Sequence, residues 1–430
     1  MSAAQLALWF IDRGKSKKIQ QVEGCLLRIA GDVAPQRLHD VIASTVRRHP
    51  ALRIGCEVAG GGQPRQRVYG DVPWSLEYRD LSALPPEAAQ AEATRWWAEV
   101  SAVPFDLGQP PLWRAAAARL PGGRSLIALA AHHLICDGWT LRLLLEEMSE
   151  EYRTGAPAPG SPAPYPQCLL DRNDTWRRDP TVISFWRSVL DGCESSRVVI
   201  PGTATGPVRG EAAVHDVVSP DVARLIRDVA RRHRVTAFLV TAAVYAVTIG
   251  RFSGIARVPV AVAAHGRTAP GLNRVAGLFA TMFVLPADLA EEPSLSELLA
   301  RLRETYRDCL AHRNIALEEL TLERKLTREP FFRHMISYHP ASFAVSRFAG
   351  LPAAMDLLSV KPSPNELELH VRELADSFAL DLRFDPAVLN ADEARTVLDA
   401  YGGLLACLAA DPGGSVARAI PPAPPRAVLS

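Results

Sequence analysis

The chain has 430 residues, 48% of them apolar and 22% charged, and its formal net charge is +1. That length exceeds one ordinary core and points to two or three domains, in a composition typical of globular chains. The near-neutral balance, with no basic stripe interleaved with aromatics, argues against nucleic-acid binding and against attraction to an anionic membrane.

In chain order, "MSAAQLALWFIDRGK" has no basic region ahead of its apolar residues and no plausible cleavage site, so it does not read as a signal peptide. "EGCLLRIAG" reads as a strand, and residues 35–49 place Leu38, Val41, Ile42 and Val46 on one helical face. "LWRAAAARLPGGRSLIALAAHH" reads as two strands joined by a Pro-Gly-Gly turn, a hairpin. "WTLRLLLEEMSEEYRTG" follows as an amphipathic helix stopped by Gly155. Residues 155–166, "GAPAPGSPAPYP", are too rich in proline for a helix and read as a stiff, extended connection. The domain boundary is expected shortly after it, near residue 178, dividing the chain into 1–178 and 179–430.

The second half restarts with "SPDVARLIRDVARRHRV", where Ser219 suits an N-cap, Pro220 a first helical position and Asp221 the helix dipole. Val235 to Gly250 gives 16 uncharged residues, short of the ~20 that a membrane-spanning helix needs, and reads as a buried core helix. A strand "VPVAVAA" runs into "HGR" at 265–267. A strand at 378–384, a helix from about Ala391 to Leu408 and a Pro-rich tail close the chain. This alternation permits two similar α/β lobes. Seven scattered cysteines without a C-x-x-C pair fit reduced thiols, and a cytoplasmic location without membrane or nucleic-acid partners is expected.

The stretch that carries chemistry is "AHHLICDGWT", residues 131–140. Successive strand side chains point to opposite faces, so His132 and His133 cannot share a role. One faces a core and the other a cleft. Gly138 is expected to allow a turn that other residues resist and to bring Asp137 back toward His133. His132, His133, Cys136 and Asp137 lie too close together on non-helical backbone for three of them to converge on a metal ion, and no metal site is expected. A serine hydrolase would need a nucleophile elbow such as G-x-S-x-G, which is absent. A packed histidine pair satisfied by backbone carbonyls is the simplest structural alternative.

The pattern H-H-x-x-x-D-G formed by His132, His133, Asp137 and Gly138, followed by Trp139 and Thr140, resembles the signature of the condensation domains of nonribosomal peptide synthetases. Further blocks occur in that family's order. They are "SAAQLALWF" (Ser2, Gln5, Trp9), "RRHPALR" (Arg48, His49, Leu52, Arg53), "PFDLGQPPLWR", "VPVAVAAHGR" and "DPAVLN". Three blocks depart from the pattern. "GLFATM" (Gly277, Phe279) lacks the usual asparagine, "HRNIALE" keeps only His312 and Glu318, and "REPF" (Arg328, Pro330) replaces the usual R-N-P-L.

The resemblance implies an α/β fold of two chloramphenicol-acetyltransferase-like lobes, a V-shaped pseudo-dimer with a central tunnel in a monomeric chain. It implies an acyltransferase that moves an acyl or aminoacyl group from a carrier-protein thioester to an amine or hydroxyl acceptor, small or carrier-bound, in natural-product biosynthesis. No cofactor is bound; the phosphopantetheine arm of a peptidyl or acyl carrier protein is the substrate tether. His133 is implied as general base or positioner, since an imidazole with an unperturbed pKa of ~6.5 is well matched to that task. His132 is implied as structural, Asp137 as the ion-pair partner of Arg267 from the other lobe, and the backbone near Gly138 as a source of an oxyanion donor. Trp139, Gly277, Phe279 and His312 are candidates for tunnel lining or substrate binding. Because the chain starts and stops with the family's blocks, a free-standing enzyme is expected, with Arg172, Arg177 and Arg178, or Arg231, Arg232 and Arg234, as candidate carrier-docking faces. The alternatives are an O-acyltransferase of the same fold that uses coenzyme A or a polyketide carrier, and a non-catalytic recruitment module.

Overall fold

The apolar run "SLIALAA" before the two histidines is the middle of a six-stranded sheet. A strand buried on both faces reads as continuous apolar sequence rather than as alternation, and every residue from Ser125 to His132 is buried. The computed structural model describes residues 1–13, 21–58, 60, 62, 64–160, 162, 165–168, 180–193, 198, 200, 212–267, 269–312, 332–359 and 365–416. The boundary expected near residue 178 lies outside them, as do Glu318, Arg328, Pro330, Arg172, Arg177 and Arg178.

The chain forms two compact units, neither of them a continuous stretch. The first comprises Met1–Thr175, His265–Ala280 and Ser342–Lys361. Its six-stranded sheet runs Arg347–Phe348, Leu351–Ser359, Val22–Ile29, Arg124–His132, Trp113–Leu120 and Leu76–Asp80. The hairpin expected from the Pro-Gly-Gly turn is present, with Trp113 opposite Ala131 and Leu120 opposite Arg124. Gly122 and Gly123 both take positive φ in its turn, where other residues are strained. The helix Pro35–Arg48 buries Leu38, Val41, Ile42 and Val46, the face read from its periodicity. The helix Gly138–Thr154 ends at Gly155 in the left-handed conformation.

Two expectations are corrected here. Arg267, Gly277 and Phe279, expected in the second lobe, belong to the first unit. The Pro-rich stretch is not merely a connection either, because Tyr165 is wholly buried in that unit's core. The reason is a phenol that finds both polar and apolar partners, described below.

The second unit comprises Trp176–Ala264, Thr281–Ala341 and Pro362–Ser430. Its sheet runs Ala213–Val218, Phe378–Phe384, Leu367–Glu373, His334–His339, Arg257–Ala264 and Thr281–Asp288. Leu367, Leu369 and Val371 alternate into a core shared with the helices Pro220–His233, Ala237–Ser253, Leu295–Ala311 and Ala391–Ala410. Ser219 caps the first of these by accepting the N–H of Val222. Ser294 with Glu297, and Asn390 with Glu393, form reciprocal capping boxes on the last two. The apolar helix Ala237–Ser253 is buried almost throughout. Among the described residues no single helix is long and apolar enough to cross a membrane.

Candidate active site

His132 ends the central strand and His133 lies just beyond it, which sends their side chains to different surroundings. His132 is completely buried. The N–H of Leu134 donates to its Nδ1 at 3.1 Å, so Nδ1 carries the lone pair and Nε2 the proton. Nε2 donates to Oδ2 of Asp12 at 2.6 Å, and the Asp12 side chain is only 3% exposed. Phe105, from the "PFDLGQPPLWR" block, meets the His132 ring edge to face at 6.3 Å. Both ring nitrogens of His132 are therefore engaged inside the protein, and Asp12 is a partner that the sequence reading missed.

His133 is the opposite tautomer. Its Nδ1 lies 2.6 Å from the carbonyl oxygen of Cys136. A carbonyl only accepts, so Nδ1 holds the proton and, in the neutral ring, Nε2 holds the lone pair. The side chain is 25% exposed. Its backbone N–H donates to Gln21 O at 2.8 Å, anchoring the turn to the neighbouring strand. Burial, reinforced by the Asp137 charge, pushes the thiol of Cys136 beside it far above the ordinary range.

Asp137 turns away from both rings. It caps the helix Gly138–Thr154, with Oδ1 accepting from Thr140 N and Thr140 Oγ1, each at 2.8 Å. Arg267 donates Nη1 to Oδ2 at 2.7 Å and Nη2 to Oδ1 at 3.1 Å, a two-pronged pair. Oδ2 also accepts from the N–H groups of Phe279 at 2.9 Å and Ala280 at 3.1 Å. Burial pushes this carboxyl up, but the Arg267 charge and these hydrogen bonds outweigh it and hold it below the usual carboxylate range.

Gly138 does not serve as expected. It is absent from the glycines with positive φ and is the first residue of the helix. Nor does space demand a glycine there, since a Cβ would stand 3.4 Å from the Phe343 ring, an ordinary van der Waals contact. Trp139 is partly exposed and donates Nε1 to Asn273 O at 3.0 Å.

Gly277 and Phe279 are buried behind Asp137 rather than exposed for a substrate. Gly277 has φ 149°, and a Cβ there would stand 2.2 Å from the Tyr165 ring. Tyr165 Oη donates to Leu278 O at 3.0 Å and accepts from Leu278 N at 2.9 Å. Gln5, from the opening block, donates Nε2 to Tyr165 Oη at 3.1 Å and to Leu134 O at 2.8 Å. The opening block therefore braces the turn that carries His133. Arg48 and His49 brace the helix after it, reaching Glu147 at 2.9 and 2.8 Å. His312 belongs to the second unit, where its ring stacks on Phe185 at 3.9 Å and Nδ1 donates to Asp308 O. No cluster of metal-ligating side chains occurs among the described residues.

A family model, the condensation domain, matches residues 1–422. A linear gramicidin synthase of Brevibacillus parabrevis is 28% identical over 97% of the chain, and the phosphinothricin tripeptide synthetase PhsC of Streptomyces viridochromogenes is also 28% identical over 97%. The chain spans 8% and 40% of the lengths of these two relatives. Among solved structures, the first condensation domain of the calcium-dependent antibiotic synthetase, in complex with a substrate analogue, superposes with a TM-score of 0.82 at 21% identity, covering 97% of each chain. A mutant starter condensation domain of rhizomide synthetase, in complex with C8-CoA and Leu-SNAC, gives 0.84 at 18% identity, covering 97% of this chain and 95% of that one. The chain belongs to the condensation-domain family, a family of acyl and aminoacyl transfer in nonribosomal-peptide-type biosynthesis. It has the mixed α/β fold of that family.

Proposed function

We propose that the chain transfers an acyl or aminoacyl group from the phosphopantetheine thioester of a carrier protein to an amine or hydroxyl acceptor. The observation that carries this reading is the tautomer of His133. Nδ1–H is committed to Cys136 O, and the lone pair on Nε2 belongs to a partly exposed ring. Such a nitrogen accepts a proton from the attacking acceptor, or orients it, as its atom adds to the thioester carbon. The tetrahedral intermediate then expels the carrier thiol, which takes up the proton. Thr140 N is occupied by Asp137, while no hydrogen bond takes the N–H of Gly138 or Trp139 among the described residues. These two groups at a helix N-terminus suit the developing oxyanion.

A coenzyme A donor is the second reading, favoured by the C8-CoA held in the rhizomide synthetase relative. A recruitment module without chemistry has no use for the intact His133 arrangement. Incubating the chain and an acceptor with acyl-carrier protein, with acyl-coenzyme A, and with neither separates the three. Product from the carrier donor alone supports the proposal, product from coenzyme A alone favours the second reading, and product from neither favours recruitment.

A further inference from the structure

The strand Val22–Ile29 pairs antiparallel with Arg124–His132, and its register sets Glu23 opposite Ala131. Opposed residues share a face of the sheet, and alternate residues return to it. Glu23 therefore shares the face of Ala131, and His133, in the turn just beyond the strand, comes close to it. Glu23 Oε1 lies 3.8 Å from His133 Nδ1, too far for a hydrogen bond. That nitrogen already donates to Cys136 O. No hydrogen bond to the Glu23 side chain occurs among the described residues, and it is 33% exposed. Its charge adds to the effect of burial in pushing up the thiols of Cys25, to about 12, and of Cys136.

We propose that Glu23 is a specificity residue that selects an acceptor bearing a protonated amine over a neutral hydroxyl acceptor. This deepens the acyl-transfer reading and rests on it. An uncommitted carboxylate beside the reactive imidazole attracts a cation and gives nothing comparable to an alcohol. The held ammonium loses one proton to solvent, and its nitrogen then attacks the thioester carbon. The C–N bond forms, the C–S bond breaks, and the second proton passes by way of His133 to the departing thiolate. The products are an amide, a thiol and one proton released.

The test uses the full chain, with Glu23→Gln and Glu23→Ala. The probes are the leucyl thioester of N-acetylcysteamine, which carries an ammonium, and its 2-hydroxy isostere. Calorimetric binding of each is measured without donor, and turnover is measured afterwards with a carrier-bound octanoyl donor. The expected wild-type preference for the ammonium probe is about fivefold, as for a partly exposed ion pair, and it vanishes in both variants. Equal affinity of the wild type for the two probes, including no measurable binding of either, overturns the proposal. So does a preference that survives Glu23→Gln, or a fall in kcat for both acceptors with the preference unchanged, which is the mark of an action through His133. Binding needs no turnover, so a failure of the acyl-transfer reading shows separately, as probe selectivity without product.

Discussion

Asp137 and Arg267, 130 residues apart in the chain, meet through two hydrogen bonds of 2.7 and 3.1 Å, with side chains 3% and 1% exposed. The same carboxylate caps the helix Gly138–Thr154 and receives the N–H groups of Phe279 and Ala280. The acid of the H-H-x-x-x-D-G pattern thus joins three segments of the chain. Pairs of this kind fix geometry more reliably than they add stability.

Removing either partner strands a buried charge, so Asp137→Asn and Arg267→Ala should each cost about 3–5 kcal/mol in chemical denaturation. The double variant should be little worse than either single one. Additive losses in the double-mutant cycle would show that the pair is not coupled.

The depressed Asp137 carboxyl also has a pH signature. The unfolded group titrates near ~3.9, so its contribution is complete above that pH and is lost as pH falls through the lower folded value. Wild-type stability should drop below about pH 4, and Asp137→Asn should flatten that limb.

His339 gives the opposite kind of group a similar sign. Burial, with the charges of His370, Arg372 and Arg383, holds its imidazole down to about 3. The unfolded imidazole binds a proton near ~6.5 while the folded one stays neutral, so stability is full above about pH 6.5 and declines from there toward about 3. His339→Gln should be less acid-sensitive than wild type between about pH 6.5 and 4; an unchanged slope would contradict this.

The brace behind the site predicts an unequal pair of variants. Gly277→Ala combines an unfavourable φ with a Cβ driven into the Tyr165 ring, each costing about 1–3 kcal/mol, and should be the more damaging of the two. Tyr165→Phe keeps the ring and loses the hydroxyl bonds to Leu278 and Gln5, at about 1–3 kcal/mol. If thermal melting finds Gly277→Ala neutral, the close approach of Tyr165 is wrong.

Much of this was legible locally. The helix Pro35–Arg48, the Trp113–His132 hairpin and the strand Phe378–Phe384 announce themselves through period and turn residues. The H-H-x-x-x-D-G pattern and Arg267 were legible through family resemblance. What escaped depends on distant partners. Asp12 lies 120 residues before His132, and Tyr165 lies 113 before Leu278. Leu351–Ser359 joins the first unit's sheet by pairing with Val22–Ile29. Such contacts leave no local period, and a tyrosine among prolines looks like linker until its phenol finds a partner. Gly138 misled for a different reason: glycine suggests a tight turn, yet here it is the first residue of a helix, without a positive φ.

The central claim is that His133, and not His132, performs the transfer. The decisive measurement is single-turnover product formation from an acyl-carrier protein by wild type, His133→Ala and His132→Ala, with the melting temperature of each. His133→Ala should melt close to wild type and lose at least about 100-fold in rate, the usual contribution of a positioned proton acceptor. His132→Ala should melt lower, since it leaves Asp12 buried without its imidazole. A His133→Ala protein that keeps its rate within a few-fold of wild type would contradict the account.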